Sequence, residues 1–224
     1  MNYQDDIASM FTLAHELGHS LHSELAKDQQ PWQYADYTIF VAEVASTVNE
    51  TLLTHHLLDT VDDDELRMHV LDEYLERFRS TLYRQTMFAD FELQIHEIAE
   101  DDGALTPERF DERYRDLKAE FYEPAALDDR IAREWMRIPH FYYNYYVYQY
   151  ATGISAAVAI VERILEGGED AADAYREALS LGGSEYPIDV LETAGVDMAS
   201  PEPIESALSV YDDYLDRMAA LLGE

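Results

Sequence analysis

The sequence contains no cysteine and only two lysines, Lys27 and Lys118, in 224 residues. The absence of cysteine excludes disulfides and thiolate metal sites, although it leaves the redox compartment undecided. No run approaches the roughly 18 apolar residues that a membrane helix requires. The first residues also lack the basic and apolar regions of a secretion signal. A cytoplasmic protein without a membrane anchor is therefore expected, and its length permits one sizeable core within a single domain, residues 1–224.

Basic residues are also scarce. The sequence contains 15 basic and 47 acidic residues, which gives a formal net charge of -32. Such a charge repels polyanions, so nucleic acid is excluded as a partner. The acids are spread along the chain and do not form one tail. This pattern is similar to the acidic, lysine-poor surface of proteins from halophiles, in which high salt screens the self-repulsion. The alternative is an acidic surface that serves solubility or binds cationic partners.

One motif carries chemistry: His15-Glu16-Leu17-Gly18-His19, which follows an apolar stretch. Residues four apart share one face of a helix, so the imidazoles of His15 and His19 can converge on one metal ion. Glu16, the next residue after His15, borders the same face. This HExxH pattern is typical of zinc peptidases. Because a catalytic zinc usually takes three protein ligands and keeps one position for water, a third ligand is required.

Glu43 is the expected third ligand. Residues 27–32 include a polar cluster and Pro31, which together predict a turn between two helices. His19 lies about 12 Å of helix before that turn, and Glu43 lies about 13 Å of helix after Tyr34. In an antiparallel helical hairpin the two side chains would therefore lie level. The sequence predicts one Zn²⁺ per chain, held by His15, His19 and Glu43.

Glu43 and Glu50 each have a second interpretation. Glu43 lies in the apolar run 39–45, where an unpaired carboxylate would be costly to bury and a cation would relieve that cost. It could instead pair with an arginine or face solvent. Glu50 could orient a ligand histidine by accepting a hydrogen bond from its second ring nitrogen, or it could be exposed. The sequence favours the ligand role for Glu43 and leaves the choice for Glu50 open.

The remaining pattern predicts helices and no alternating strands. We therefore expect an all-α, multi-helix catalytic domain of the zincin type with the HExxH motif on a helix. Thr106, Pro107 and Glu108 form a helix start, with Thr106 as the cap and Pro107 at the first helical position. Apolar spacing and stop signals place helices at about 8–27, 36–58, 63–100, 106–122, 126–137, 139–166, 169–181 and 201–222.

The segment from His140 to Tyr150 contains six tyrosines in eleven residues. On a helix, His140, Tyr143, Val147 and Tyr150 would share one face, so an imidazole and two phenols could point into one cleft. Donors of this kind stabilise the negative charge that develops on a carbonyl oxygen during amide hydrolysis. The alternative is a tyrosine-rich helix in a core or interface.

Several segments of the chain, in order, resemble oligoendopeptidase F, within the thimet-oligopeptidase-like zinc metallopeptidases. The matching segments are Phe11-Thr12-Leu13-Ala14-His15-Glu16-Leu17-Gly18-His19-Ser20-Leu21-His22-Ser23, Glu43-Val44-Ala45-Ser46-Thr47, residues 140–153, Gly182-Gly183-Ser184-Glu185-Tyr186-Pro187 and Ala194-Gly195-Val196-Asp197-Met198. The resemblance implies a mostly helical fold with a deep channel that admits short peptides and excludes folded proteins.

The resemblance also implies roles for particular residues. His15, His19 and Glu43 would be zinc ligands, and Glu16 would be the general base. His140 and tyrosines of the following helix would stabilise the transition state, and Tyr143 and Tyr150 agree best with the helical face. Tyr145 is the next candidate. Members of that family carry a long N-terminal region that forms the opposite channel wall, so we expect this chain to be the C-terminal catalytic part of a longer peptidase.

The expected function is that of a zinc metalloendopeptidase, an oligoendopeptidase acting on short peptides. Glu16 would take a proton from zinc-bound water and deliver it to the leaving amine, while zinc and the donors around His140 hold the carbonyl oxygen. Three alternatives are a zinc-binding fragment that is inactive without an N-terminal region, a related helical HExxH carboxypeptidase, and a non-enzymatic helical interaction protein that binds no zinc. The sequence does not decide the oligomeric state.

Overall fold

The computed structural model describes residues 3–101 and 103–223. Within those residues the regular structure is entirely helical, which confirms the all-α prediction. The α-helices are α1 (Ile7–Gln29), α2 (Ile39–Thr60), α3 (Asp64–Phe78), α4 (Arg84–Glu100), α5 (Pro107–Phe121), α6 (Tyr148–Ser180), α7 (Pro187–Thr193) and α8 (Glu202–Leu222). The structure also contains one π-helical turn, Arg79–Tyr83, and three 3₁₀ segments, which are Trp32–Tyr34, Asp129–Arg137 and Pro139–Tyr142.

The described residues form two compact units. The first contains the residues up to Phe78 together with those from Thr152 onwards, and the second is Arg79–Ala151. A single catalytic domain over residues 1–224 stays a prediction. Among the described helices, none combines the length and the apolar character that crossing a membrane would require.

In the first unit, α1 and α2 form a helical hairpin. The side chain of Asp6 caps α1 by accepting a hydrogen bond from the Ser9 amide at 2.7 Å. At Gly18 the two helices approach so closely that a Cβ would lie 2.5 Å from the Ala45 carbonyl oxygen. The Asn49 amide also donates to the Ala14 carbonyl at 3.2 Å. Glycine is thus required at position 18 for the close crossing that places the faces of α1 and α2 together.

The core of the first unit is built from small and β-branched side chains. On α2 the buried residues are spaced three and four apart, as expected for one helical face. They pack with a run of small side chains on α6 and with α7. The buried set includes Val41, Val44, Ala45, Val48, Ala156, Ala157, Ile160, Val161, Val190 and Leu191. This packing fixes α2, and therefore the backbone at Glu43, on the rest of the unit.

The second unit has an aromatic core and a buried ionic cluster. Phe91 and Tyr114 meet edge to face with ring centroids 5.2 Å apart. Glu134, on the 3₁₀ segment Asp129–Arg137, accepts hydrogen bonds from Tyr114 at 2.8 Å and from Lys118 at 3.0 Å. Arg84 donates to its other oxygen at 2.6 Å. One carboxylate therefore joins α4, α5 and the 3₁₀ segment.

Several predicted helices differ from the structure in extent. The helix predicted over 63–100 is divided into α3 and α4 by the π-helical turn. The predicted start at Thr106 is confirmed, because its hydroxyl accepts a hydrogen bond from the Arg109 amide at 3.4 Å. The stop predicted at Gly167-Gly168 is instead a kink within α6, where Gly168 has φ 62° and ψ -136°. The short helix α7 was not among those predicted.

The helix predicted over 139–166 is wrong at its start. A 3₁₀ turn, Pro139–Tyr142, is followed by residues 143–147 in a non-helical conformation, and α6 begins only at Tyr148. Asn144 and Tyr145 have φ values of 50° and 56°, in the left-handed region. A continuous helix cannot pass through such residues, because each reverses the local path of the backbone.

Candidate metal centre

Three side chains of the first unit converge on one point. His15 and His19 lie on the same face of α1, and their Nε2 atoms are 3.1 Å apart. The Oε2 atom of Glu43, on α2, is 3.6 Å from the His15 nitrogen and 3.7 Å from the His19 nitrogen. Each of the three side chains is about a third exposed, so solvent and small molecules can reach the group. Within residues 3–101 and 103–223, this is the one group of three or more potential ligands that could hold a metal ion.

The arrangement fits a zinc ion. Bonds of about 2.0–2.1 Å in tetrahedral directions place neighbouring ligand atoms about 3.4 Å apart. The observed separations are 3.1, 3.6 and 3.7 Å. Two imidazole nitrogens and one carboxylate oxygen are also the donor types that zinc accepts in hydrolases. The close Nε2 pair suits a shared cation, because both lone pairs could then point at the same centre.

Glu50 supports His15 from the side away from this point. It is only 6% exposed, and its Oε1 atom lies 3.4 Å from His15 Nδ1. Arg77 pairs with the other oxygen of Glu50 at 3.1 Å and lies over the ring of Phe11. The hydrogen bond to Glu50 is the main factor that raises the pKa of His15, against the opposing effect of burial. The sequence left two interpretations of Glu50 open, a hydrogen-bond acceptor beside a histidine or an exposed acid. In the structure Glu50 is buried and lies beside His15.

Glu16 and His22 occupy different environments on α1. Glu16 is exposed and adjoins His15 in sequence, so its carboxylate is accessible to solvent. His22, one turn beyond His19, is 1% exposed and stacks on Tyr37 with ring centroids 3.5 Å apart. Burial lowers the pKa of His22 to about 4, so its ring is neutral near pH 7. His22 is therefore a packing residue and not a member of the ligand group.

In the second unit the predicted donors form a cluster, but not on one helical face. The hydroxyl of Tyr150 lies 3.4 Å from His140 Nε2. Tyr143 is 63% exposed, and its ring centroid is 6.3 Å from that of His140. Because residues 143–147 are not helical, the contact between His140 and Tyr150 arises from the loop and not from helical spacing.

Two further residues of this cluster were not predicted from the sequence. Tyr146 stacks on His140 with nearly parallel rings 5.5 Å apart, and its hydroxyl is 3.4 Å from that of Tyr150. Glu92 is buried on α4 and accepts a hydrogen bond from the backbone N–H of Tyr145 at 2.7 Å. A signal for Glu92 did exist, because it is an acid within an apolar stripe that includes Phe91 and Ile95.

Comparisons with known proteins agree with this description. The sequence model of Peptidase family M3 matches residues 1–210. The chain is 51% identical over 223 residues to oligopeptidase PepF of Bacillus subtilis, covering 99% of this chain and 33% of that protein. It is 44% identical over 225 residues to group B oligopeptidase PepB of Streptococcus agalactiae, covering 100% of this chain and 37% of that protein.

A solved structure gives the same result for the fold. The crystal structure of oligoendopeptidase-F from Enterococcus faecium superposes with a TM-score of 0.87 at 44% sequence identity, and covers 97% of this chain and 40% of that one. These matches confirm the resemblance inferred from the motifs. The chain spans about a third of the length of the two curated relatives, PepF and PepB.

Proposed function

Because the chain belongs to peptidase family M3, we propose that it is the catalytic part of a zinc metalloendopeptidase that hydrolyses short peptides. One observation carries the proposal: the ligand atoms of His15, His19 and Glu43 lie within 4.8 Å of one another. The match of residues 1–210 to the family supports the same interpretation. The site would hold one Zn²⁺ per chain.

When bound, Zn²⁺ would supply a Lewis acid that acidifies water and polarises a peptide carbonyl. In the proposed mechanism Glu16 takes a proton from the attacking water and passes it to the leaving amine. Its exposure beside His15 is consistent with that task. Glu50, with its Oε1 atom 3.4 Å from Nδ1 of His15, holds that ring so that Nε2 would be available to the metal ion. The family resemblance supports His140, Tyr143 and Tyr150 as proposed donors to the developing oxyanion, with Tyr145 as the next candidate.

Metal binding and peptide cleavage are separate parts of the proposal. The ligands and Glu16 all belong to α1 and α2, whereas the chain spans about a third of its relatives' length. The second candidate is therefore a chain that binds zinc and cleaves peptides only when the rest of the longer protein is supplied. A test has to measure both properties on the same sample.

The test compares the chain with its Glu16→Gln variant in molar salt, by zinc stoichiometry and cleavage of a quenched fluorescent short peptide. We expect one zinc in both proteins and loss of at least 10²-fold in turnover in the variant, because general acid–base catalysis contributes roughly that much. Glu24→Gln, at an exposed position of α1, is the matched control and should keep full turnover.

The outcomes separate the candidates. Zinc without turnover in the unmodified chain would favour the second candidate, and the test is then repeated with the N-terminal region of a longer relative added. Folded protein without zinc would contradict the proposal altogether. Activity on an exposed C-terminal residue only would favour the carboxypeptidase alternative. The halophilic origin and the cytoplasmic location stay predictions.

A further inference from the structure

The loop between Pro139–Tyr142 and α6 has an unusual backbone. Asn144 and Tyr145 are consecutive, both have positive φ, and neither is glycine. Side chains disfavour this region, and tyrosine lacks the short polar group with which asparagine stabilises it locally. A conformation of this kind persists where surrounding contacts fix it, and such contacts often lie at functional sites.

The contact that fixes this loop comes from a buried carboxylate. Glu92 is 1% exposed, and its Oε1 atom accepts the backbone N–H of Tyr145 at 2.7 Å. An ionised acceptor makes a stronger hydrogen bond than a neutral one. Phe91 and Ile95, which lie near Glu92 on α4, belong to the apolar core of the second unit. Burial of the Glu92 carboxylate there costs desolvation free energy, which the hydrogen bond to the loop offsets.

A second residue of α4 contacts the side chain of the same tyrosine. The His96 ring lies 4.5 Å from that of Tyr145, and its Nδ1 atom is 2.7 Å from the carbonyl oxygen of Glu92. Glu92 and His96 are four residues apart and therefore share one face of the helix. Together they hold both the main chain and the ring of Tyr145.

The fixed loop determines how the His140 cluster is assembled. Tyr146 follows Tyr145 directly and stacks on His140, with an interplanar angle of 5°. Tyr150 reaches the same imidazole at 3.4 Å. If the N–H of Tyr145 were released, residues 144 and 145 could return to the ordinary right-handed region, and Tyr146 would move off His140.

We propose that Glu92 is a positioning residue, which acts through the Tyr145 backbone to keep His140 and Tyr150 in the arrangement needed for catalysis. The catalytic part of this inference rests on the proposed peptidase function. The structural part, that Glu92 fixes the loop, can be measured without any turnover. The experiment therefore has one readout for each part.

The variants are Glu92→Gln, which keeps an acceptor oxygen, and Glu92→Met, which has a similar length and no acceptor. Glu97→Met, at an exposed position of the same helix, is the matched control. Hydrogen exchange should accelerate at the Tyr145 amide at least tenfold in Glu92→Met and less than threefold in Glu92→Gln. The ring proton shifts of His140 should move toward their unfolded values in Glu92→Met only, because the stacked ring of Tyr146 has left.

In turnover assays on short peptides, Glu92→Met should lower kcat at least tenfold and change KM less than threefold. The kcat of Glu92→Gln and of Glu97→Met should stay within threefold of that of the unmodified chain. Unchanged exchange at Tyr145, or full kcat in a Glu92→Met protein with rapid exchange, would overturn the proposal. If the unmodified chain binds zinc and cleaves nothing, the second candidate function is favoured, and hydrogen exchange and the His140 shifts alone decide whether Glu92 positions the loop. Should Glu92→Met not fold, Glu92→Leu takes its place.

Discussion

At the residue scale, Glu50 shows what spacing alone leaves undecided. Its position seven residues after Glu43 put it near the same helical face, yet the sequence could not tell a buried acceptor from an exposed acid. Burial depends on what packs against that face, and Arg77 comes from α3, a helix whose approach no local pattern encodes. The convergence of His15, His19 and Glu43 was predictable because a motif and a turn length fix their positions.

Replacing Glu50 tests whether it tunes the metal ligand. We expect Glu50→Ala to weaken zinc binding by 10- to 100-fold, because His15 loses the partner that orients its ring. Glu50→Gln, which keeps an oxygen, should lose less. Affinity is measured by competition with a zinc-binding fluorophore, and Glu24→Ala is the exposed control. Equal affinity in the folded Glu50→Ala protein would contradict the assignment.

At the element scale, the α1–α2 hairpin was predictable and the loop before α6 was not. A proline turn and the HExxH spacing both favour the same hairpin. Residues 140–150 have aromatic spacing that suits a helix, but the loop is set by Glu92, which is 53 residues from Tyr145 in sequence. No glycine marks the positive φ values at Asn144 and Tyr145. A distant buried contact therefore outweighed the local pattern.

Gly18→Ala tests the crossing of α1 and α2. In an exposed helix this change stabilises by about 1 kcal/mol, but here the new Cβ would lie 2.5 Å from backbone atoms of Ala45 and Ser46. The helices must separate, so we expect destabilisation by about 1–3 kcal/mol and at least tenfold weaker zinc binding. Thermal unfolding and zinc titration measure both effects. The control is Ser20→Ala, at an exposed position of α1, which should leave the stability and the zinc affinity near their original values. A Gly18→Ala protein with raised stability would argue against the tight crossing.

The Glu134 cluster predicts how the stability of the second unit depends on pH. Burial by itself would raise the pKa of Glu134, but hydrogen bonds from Lys118 and Tyr114 and the charge of Arg84 lower it to about 2. Since the folded pKa lies below the usual 4.5, the stabilisation is present above about pH 4.5 and is lost as the pH falls toward 2.

Glu134→Gln should therefore destabilise the second unit at pH 7, on the order of 3 kcal/mol, and progressively less below pH 4.5. Trp135 reports this unfolding, because its indole donates to Asp111 at 2.9 Å, whereas Trp32 is 93% exposed. Urea midpoints from tryptophan fluorescence between pH 3 and 7 give the difference. Glu112→Gln, at an exposed position of α5, is the control. A penalty that does not shrink on acidification would refute the pH assignment.

At the scale of the whole molecule, lysine is even scarcer on the surface than the composition suggests. One of the two lysines, Lys118, is buried and paired with Glu134, so Lys27 alone represents lysine on the exterior. Many acids lie exposed on the first unit, including Asp62, Glu65 and Asp212. Like charges at this density repel one another across distances comparable to the Debye length in dilute salt.

Salt should therefore stabilise the chain by screening. The Debye length falls from about 10 Å at 0.1 M to about 3 Å at 1 M, so the urea midpoint should rise steeply with KCl and level off near 1 M. NaCl should act equally. A rise that continues linearly beyond 1 M would indicate exclusion of salt from the surface instead of screening. A matched test removes four exposed charges in one variant, by Asp62→Asn, Glu65→Gln, Asp212→Asn and Asp216→Asn. In this variant the urea midpoint at 0.1 M KCl should be higher, and it should increase less with salt concentration. A slope that stays the same in this variant would show that these charges do not limit the stability of the fold.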